Sequence, residues 1–176
     1  KLIVMTPQLT SLQNAYTFLK ACVQRVLRRL PEDAEARRMF DELLTGDGDG
    51  RPVQRAVSIL RDEQPALAAS VVDVLDRFGV MLVGNMLTSD REHAVLARIS
   101  DMIADYLMLQ APIVAALPLN DLIRKSVDQR RPIALADRPA DAIFELRRLA
   151  RAVLDADIPR LRAAVRAAAP GQTLPI

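Results

Sequence analysis

Three short apolar runs, each closed by a proline or a turn, are the feature that most constrains the fold of this chain. They occupy residues 1–7, 78–85 and 111–117, and long segments with helical periodicity separate them. Apolar runs of this length, without alternating polar residues, are typical of strands buried on both faces. Strands that alternate with helices form βαβ units and a parallel sheet. The sequence therefore predicts an α/β fold, a parallel sheet with helices on both faces.

The first run begins at Lys1 and stops at Pro7, with no polar arm before it. A buried strand needs neighbours on both sides, and three strands are few for a sheet of this class. We therefore expect the 176 residues to be the C-terminal part of a longer protein. At about 100–200 residues per domain, this length allows one domain or part of a larger one.

Start and stop signals divide the helical segments. Thr10 or Ser11 is the predicted N-cap of the first helix, and Pro31 is expected to end it, because proline cannot continue a helix. Asp90 is the predicted cap of the helix that follows the second apolar run. A helix is predicted from about Asp121 to Gln129, and a last long helix over residues 141–156.

Residues 31–77 are interpreted as a helical insertion. Three helical stretches are predicted within this segment, at about residues 32–44, 52–61 and 65–77, and Gly and Asp residues at positions 46–50 separate the first from the second. These helices could form a docking surface for a protein partner or a lid on the domain. Inserted segments of this length in compact domains are often functional, which favours the docking surface. Residues 1–156 are then one domain that contains the insertion, and residues 157–176 form a C-terminal helix and tail.

Composition excludes several classes of function. The 24 basic and 22 acidic residues give a net charge of +2, which is too balanced to indicate a nucleic-acid partner. One cysteine, Cys22, excludes an internal disulfide framework and any zinc site built from several thiolates. We expect a globular protein in a reducing, cytoplasmic compartment, with Cys22 packed on a helix and His93 on the surface. No catalytic or metal-binding residue is predicted in the chain.

Four segments match a family pattern in order and in spacing. Their sequences are T-P-Q-L-T with N-A-Y-T-F-L-K at residues 6–20, V-G-N-M at 83–86, L-P-L-N-D-L-I-R-K-S-V-D-Q-R-R-P at 117–132, and D-R-P-A-D-A-I at 137–143. They resemble the C-terminal half of the MinD/ParA family of P-loop ATPases, in particular the MinD-like, FlhG-like branch. The resemblance covers residues 1–30 and 78–156 and implies a P-loop NTPase fold.

The resemblance also implies a nucleotide site. It places Asn85 where the family's asparagine contacts the adenine base, and it gives Pro118 and Asn120 the position of the loop that closes over adenine. ATP or ADP with Mg²⁺ is the implied cofactor. The sequence departs from the family at Gln8 and Asn14, where acids are usual, at Met86, where arginine is usual, and at Asn120, where aspartate is usual.

The residues themselves support such a site at one edge of the sheet. Ligands of open α/β sheets bind beyond the carboxyl ends of the strands. Asn85 and Asn120 are both expected just past strand ends, and an asparagine amide offers the acceptor and donors that an amino-purine edge needs. The alternative for Asn85 is an asparagine that satisfies loop backbone groups.

The family's phosphate-binding loop ends in G-K-[ST], and this sequence contains no such motif. The resemblance therefore implies that an upstream half supplies the phosphate and metal ligands, and that this chain alone does not hydrolyse ATP. The implied function is an ATP-dependent dimerisation switch, a homodimer in the ATP state, that positions flagella, the division apparatus or another polar structure.

Two alternatives remain at this point. The chain could be a degenerate, non-catalytic interaction module of the same fold, or a DNA-segregating protein, which the dispersed arginines disfavour. Residues 157–176 also carry a weakly amphipathic pattern, so a peripheral contact at the inner face of the membrane is a further, weaker expectation.

Overall fold

The computed structural model of the protein describes residues 1–45, 51–133 and 141–155. Three strands and seven helices occupy these residues in the alternating order that the apolar runs predict. They are β1 (Leu2–Met5), α1 (Leu9–Leu27), α2 (Ala34–Thr45), α3 (Pro52–Glu63), α4 (Pro65–Arg77), β2 (Met81–Leu87), α5 (Asp90–Leu107), β3 (Ile113–Pro118), α6 (Asp121–Asp128) and α7 (Asp141–Leu154).

The strands form one parallel sheet in the order β1-β2-β3. Val4 of β1 is paired with Val83 of β2, and Leu82 of β2 is paired with Ile113 of β3. Each connection between neighbouring strands includes at least one helix, as parallel pairing requires. The predicted α/β class and parallel sheet are confirmed in the part of the chain that the structure describes.

Helices cover both faces of the sheet, as predicted. On one face α1 and α5 pack against the strands, and the helices α2, α3 and α4 extend the same core outward. On the other face α7 lies against β3 and β2, where Leu149 and Ala152 pack near Val83 and Ala115. The sheet is therefore the middle of three layers, and α7 is the helix that covers its second face among the described residues.

The predicted insertion contributes directly to the main core. Phe40 of α2 and Leu60 of α3 are fully buried, and they belong to the same cluster as Leu27 of α1 and Ile103 of α5. Burial of apolar surface of this kind is the dominant stabilising contribution to a fold. The helices α2–α4 are thus packed as part of the body, and α3 also contacts α5 directly.

The first strand is less buried than its sequence predicts. Ile3 and Met5 face the main core, whereas Leu2 and Val4 are 42% and 56% exposed. β1 is an edge strand of this sheet, and α7 covers β2 and β3 without reaching it. The prediction of a fully buried first strand is therefore wrong for the described residues, because one face and one edge of β1 have no covering element there.

Helix starts also differ from the predicted caps. α1 begins at Leu9 with Gln8 as N-cap and without a side-chain cap, and the Ser11 hydroxyl accepts a hydrogen bond from the Thr6 backbone N–H at 3.0 Å. The N-cap of α5 is Ser89, one residue before the predicted Asp90. Because Ser11 is used by the loop before the helix, it is not available as the cap.

Candidate functional site

The carboxyl edge of the sheet is built from an irregular end of β2. Pairing passes from Gly84 with Ala116 to Leu87 with Pro118, so β2 has one residue more than β3 across this interval. Met86 takes a positive φ of 63°, which is unusual for a residue with a side chain. An extra residue of this kind is a β-bulge, and bulges redirect the side chains next to them.

Asn85 lies inside this irregular segment of β2 rather than just past the end of the strand, which corrects the prediction. β2 continues to Leu87 because pairing with β3 resumes there after the bulge. Asn85 is half-buried, and its amide forms no hydrogen bond within the part of the chain that the structure describes. An amide in this position retains both its acceptor and its donors.

Gly84 allows the helix α5 to lie close to β2 beside this site. A Cβ atom built at Gly84 would lie 2.9 Å from Leu87 Cδ1 and closer still to Leu96 Cδ1. Leu96 is a buried residue of α5, so the space that a side chain would need at Gly84 is already filled. The absence of a side chain here therefore helps to set the position of Asn85.

Pro118 ends β3 next to the end of β2. Leu87 is its partner in the register, and the following Leu119 backbone N–H donates a hydrogen bond to the Leu87 carbonyl at 2.9 Å. This bond holds the loop after β3 against β2. The expected loop at the carboxyl edge is thus present, and Pro118 is at its start.

Asn120 has a clear structural role as the N-cap of α6. Its backbone is extended, and its side-chain Oδ1 accepts a hydrogen bond from the Leu122 backbone N–H at 2.8 Å. This is the geometry by which asparagine satisfies the first free N–H groups of a helix. The Oδ1 atom is therefore engaged by the helix, while the Nδ2 donors point to no partner among the described residues.

The structure places the three predicted residues at one edge but does not bring Asn85 and Asn120 into contact. Asn85 lies before the Leu87–Pro118 pair, and Asn120 lies two residues beyond it. At about 3.3 Å per strand residue, the two positions are separated by roughly 10 Å along the sheet. Pro118 lies between them, so these residues could border opposite sides of a planar ligand but could not bind the same atom.

The turn after β2 is held by Glu92. Its carboxylate accepts hydrogen bonds from the Thr88 backbone N–H and from the Thr88 hydroxyl, the latter at 2.9 Å. The backbone bond from Thr88 is the largest cause that lowers the pKa of the Glu92 carboxyl, and the Thr88 hydroxyl adds to it. The Glu92 carboxylate therefore stabilises the first turn of α5 through Thr88 and is not a ligand of the site.

An exposed apolar surface lies next to the predicted residues, and sequence reasoning missed it. The helix α6 has a strongly amphipathic sequence, yet it contains no buried residue. We use the name carboxyl-edge apolar surface for four exposed apolar side chains near this edge, which are Met86 of β2, Leu119 of the following loop, and Leu122 and Val127 on different sides of α6. The amphipathic pattern of α6 was the available signal, since it predicted an apolar face but not whether that face is covered.

The remaining chemistry-bearing residues do not form a second centre. Cys22 is partly buried against the main core, and His93 is exposed at the start of α5, where its Nδ1 lies 3.0 Å from the Ser89 carbonyl. Within the described residues, no group of three or more His, Cys, Asp or Glu side chains is arranged to hold a metal ion. Of the helices in those ranges, none has the length and apolar character needed to cross a bilayer.

Part of the family pattern, residues 137–140, lies outside the described residues, as do the Gly-Asp segment at 46–50 and the tail from residue 156 onward. Comparison with protein-family models, with curated proteins and with solved structures finds no match to this chain.

Proposed function

We propose that this chain is part of a MinD/ParA-like ATP-binding protein and contributes the adenine side of its nucleotide site. The parent protein is an ATP-dependent dimerisation switch that positions a polar structure such as flagella or the division apparatus. The observation that carries this proposal is that Asn85, Pro118 and Asn120 all lie at the carboxyl ends of two adjacent parallel strands. Ligands bind at this edge in open α/β sheets.

The chemistry of Asn85 supports base recognition. Its half-buried amide has no partner within the described part of the chain, so it can accept from the amino group of adenine and donate to a ring nitrogen. Met86 and Leu119 are exposed at the ends of the same two strands and offer apolar surface to a planar base. Asn120 acts differently, because its Oδ1 caps α6 and thereby fixes the loop that Pro118 begins.

The exposed edge of β1 supports the expected upstream half. The outer edge of β1 is unpaired within the described residues, so a further strand of the parent protein could pair there. The exposed Leu2 and Val4 side chains leave one face of β1 for a covering element. The phosphate loop, Mg²⁺ ligands and catalysis would come from that half. Nucleotide then favours the dimer only to the extent that ATP and Mg²⁺ bind the dimer more tightly than the monomer.

The test is calorimetric titration of Mg·ATP into the full-length protein that includes the upstream segment. Asn85→Ala is expected to weaken ATP binding by about tenfold, since it removes hydrogen bonds to the base. Asn14→Ala, an exposed asparagine on α1, is the matched control and is expected to leave binding unchanged. Equal affinity of the wild-type protein and Asn85→Ala would contradict the proposed base contact.

Asn120 needs a separate pair of variants, because its capping role affects the helix as well. Asn120→Asp retains an N-cap oxygen, whereas Asn120→Ala removes it. If only Asn120→Ala weakens ATP binding, the role of Asn120 is to position the loop. If both variants weaken ATP binding, its Nδ2 donors contact the base.

A second function, a non-catalytic interaction module, is favoured by the carboxyl-edge apolar surface. Four exposed apolar residues near the site suit a partner surface. Residues 31–77 are the other segment that we predict to bind a partner. Failure of the full-length protein to bind ATP would favour this second function. Under either function, a peripheral membrane contact would depend on residues 157–176, which lie outside the described residues.

A further inference from the structure

A groove with a basic wall lies between α3 and α5, away from the carboxyl edge. Its volume is about 540 Å³, within the range of small-molecule sites. It is lined by Arg51, the N-cap residue of α3, by Gln54, Arg55, Val57, Ser58 and Arg61 of α3, and by Met108, the residue that follows α5.

Helical spacing explains why these side chains share one wall. Positions 51, 55, 58 and 61 are separated by three or four residues, so they lie along one side of α3. The core side of the same helix buries Val53, Ala56 and Leu60. The arginines extend over about 15 Å of helix, at 1.5 Å per residue, which is longer than a single phosphate can bridge at close range.

Arg55 and Arg61 supply the unpaired positive charge of this wall, because neither forms an ion pair with any residue that the structure describes. Arg61 also borders a separate depression that contains Asp73 and Asp76, but Asp73 is already paired with Arg77. The guanidinium of Arg51 lies over the Tyr106 ring, 5.7 Å from its centroid, which orients it beside α5.

From this arrangement we propose that the groove is a binding site for a small ligand with two or more phosphate groups. Guanidinium groups bind phosphate oxygens through paired N–H donors, and a row of them suits an extended oligophosphate better than a single carboxylate. The Ser58 hydroxyl and the Gln54 amide add neutral donors along the same wall.

The site is independent of the proposed nucleotide function. α5 begins directly after β2 at the carboxyl edge and ends at Leu107, before β3 begins, so Met108 lies toward the opposite edge of the sheet. Loss of adenine recognition at Asn85 would therefore leave this groove unchanged, and loss of the groove would leave Asn85 unchanged.

The test is calorimetric titration of inorganic tripolyphosphate, which carries no base, into the chain and into Arg55→Gln/Arg61→Gln. We expect saturable binding by the wild-type chain and weakening of about tenfold or more in the double variant. Arg91→Gln/Arg98→Gln on α5 removes the same charge from two exposed arginines outside the groove, and it should bind as the wild type does. Circular dichroism verifies that both double variants are folded.

Absence of saturable binding by the wild-type chain, or equal weakening in both double variants, would overturn the proposal. The second result would mean a general charge effect. Sedimentation with vesicles of phosphatidylglycerol, compared with vesicles of phosphatidylcholine, shows whether the bound phosphate belongs to a lipid headgroup or to a free molecule. Vesicle binding that is lost only in Arg55→Gln/Arg61→Gln would support the groove with a lipid headgroup as ligand, whereas vesicle binding unchanged in that variant excludes headgroups.

Discussion

Gly84 determines how closely α5 can approach the sheet, and the space for its missing side chain is filled by Leu96 and Leu87. We expect Gly84→Ala to lower the free energy of unfolding by about 1–3 kcal/mol, because an extra methyl group in a packed core forces its neighbours to move. Urea unfolding measures this change. In a Leu96→Ala background the same substitution should cost less, and an equal cost in both backgrounds would show that Leu96 is not the obstacle.

Tyr16 provides a prediction for alkaline pH. Burial, with a smaller contribution from Tyr106, raises the pKa of the Tyr16 phenol. The folded state therefore holds the proton more tightly than the unfolded chain, and this stabilisation is complete below the ordinary tyrosine pKa of 10.0. It is lost as the pH rises through the folded-state value.

Tyr16 and Tyr106 are the only tyrosines of the chain, so each can be titrated alone in a variant that lacks the other. In Tyr106→Phe, the ultraviolet absorbance of the phenolate should show Tyr16 ionising at a pH still above its ordinary value but lower than in the wild type. Tyr16→Phe should lose less stability above about pH 10 than the wild-type chain does. A normal pKa for Tyr16 in Tyr106→Phe would disprove burial as the main cause.

Individual site residues were predicted unevenly. The cap role of Asn120 had a signal, because it directly precedes a predicted helix start at Asp121 and asparagine is a preferred N-cap residue. The bulge at Asn85 had none, since a positive φ at Met86 depends on the pairing of β2 with β3. Local sequence determines caps, whereas bulges depend on the neighbouring strand.

At the scale of elements, a matched pair of phenylalanines tests how much the predicted insertion contributes to the stability of the core. Phe40 of α2 is fully buried in the main core, whereas Phe18 of α1 is 64% exposed. Phe40→Ala is expected to lower the free energy of unfolding by about 3–5 kcal/mol, and Phe18→Ala by about 0.5 kcal/mol or less.

Chemical unfolding followed by circular dichroism measures both variants. A single transition in Phe40→Ala would agree with one core shared by α2–α4 and the sheet. Similar small losses in both variants would instead mean that α2 contributes little to the stability of the body.

The bounds of elements were predicted best where proline marks them. α4 occupies Pro65–Arg77, the predicted range, and α3 begins at the predicted Pro52, because proline is favoured in the first turn of a helix. The end of β2 was predicted too early, since Asn85 was expected just past the strand, whereas β2 continues to Leu87. Pairing with β3 extends the strand through a segment whose sequence does not favour it.

At the scale of the whole molecule, the exposed edge of β1 predicts self-association. Its outer edge is unpaired within the described residues, and Val4 is 56% exposed. Edge strands of this kind pair with other chains, and a lysine on the edge prevents such pairing. Val4→Lys should therefore reduce concentration-dependent association of the chain in sedimentation velocity experiments, with little effect on its stability.

Val127→Lys on α6 is the control, because it introduces the same charge at a valine that is 69% exposed and lies away from β1. It should leave edge pairing intact. If Val127→Lys alone abolished association, the carboxyl-edge apolar surface would be the contact instead.

The fold class could be predicted because it depends on the length and order of the apolar runs and on the helical periodicity between them. Both can be read directly from the sequence. The exposure of β1 could not, since burial of a strand depends on which elements cover it, and α7 reaches only β2 and β3. The groove of α3 was missed for the same reason. Its arginines are visible in the sequence, but the wall at Met108 comes from a helix about 50 residues further along the chain.

The helix α5 extends between the two edges of the sheet, from the turn at Thr88 to Met108. Its 18 residues form a rod of about 27 Å. The groove and the site at Asn85 therefore share one element, and thermodynamic linkage makes any coupling between them reciprocal. Independence of the two sites requires a coupling constant of one, which is measured by titrating either ligand in the presence of the other.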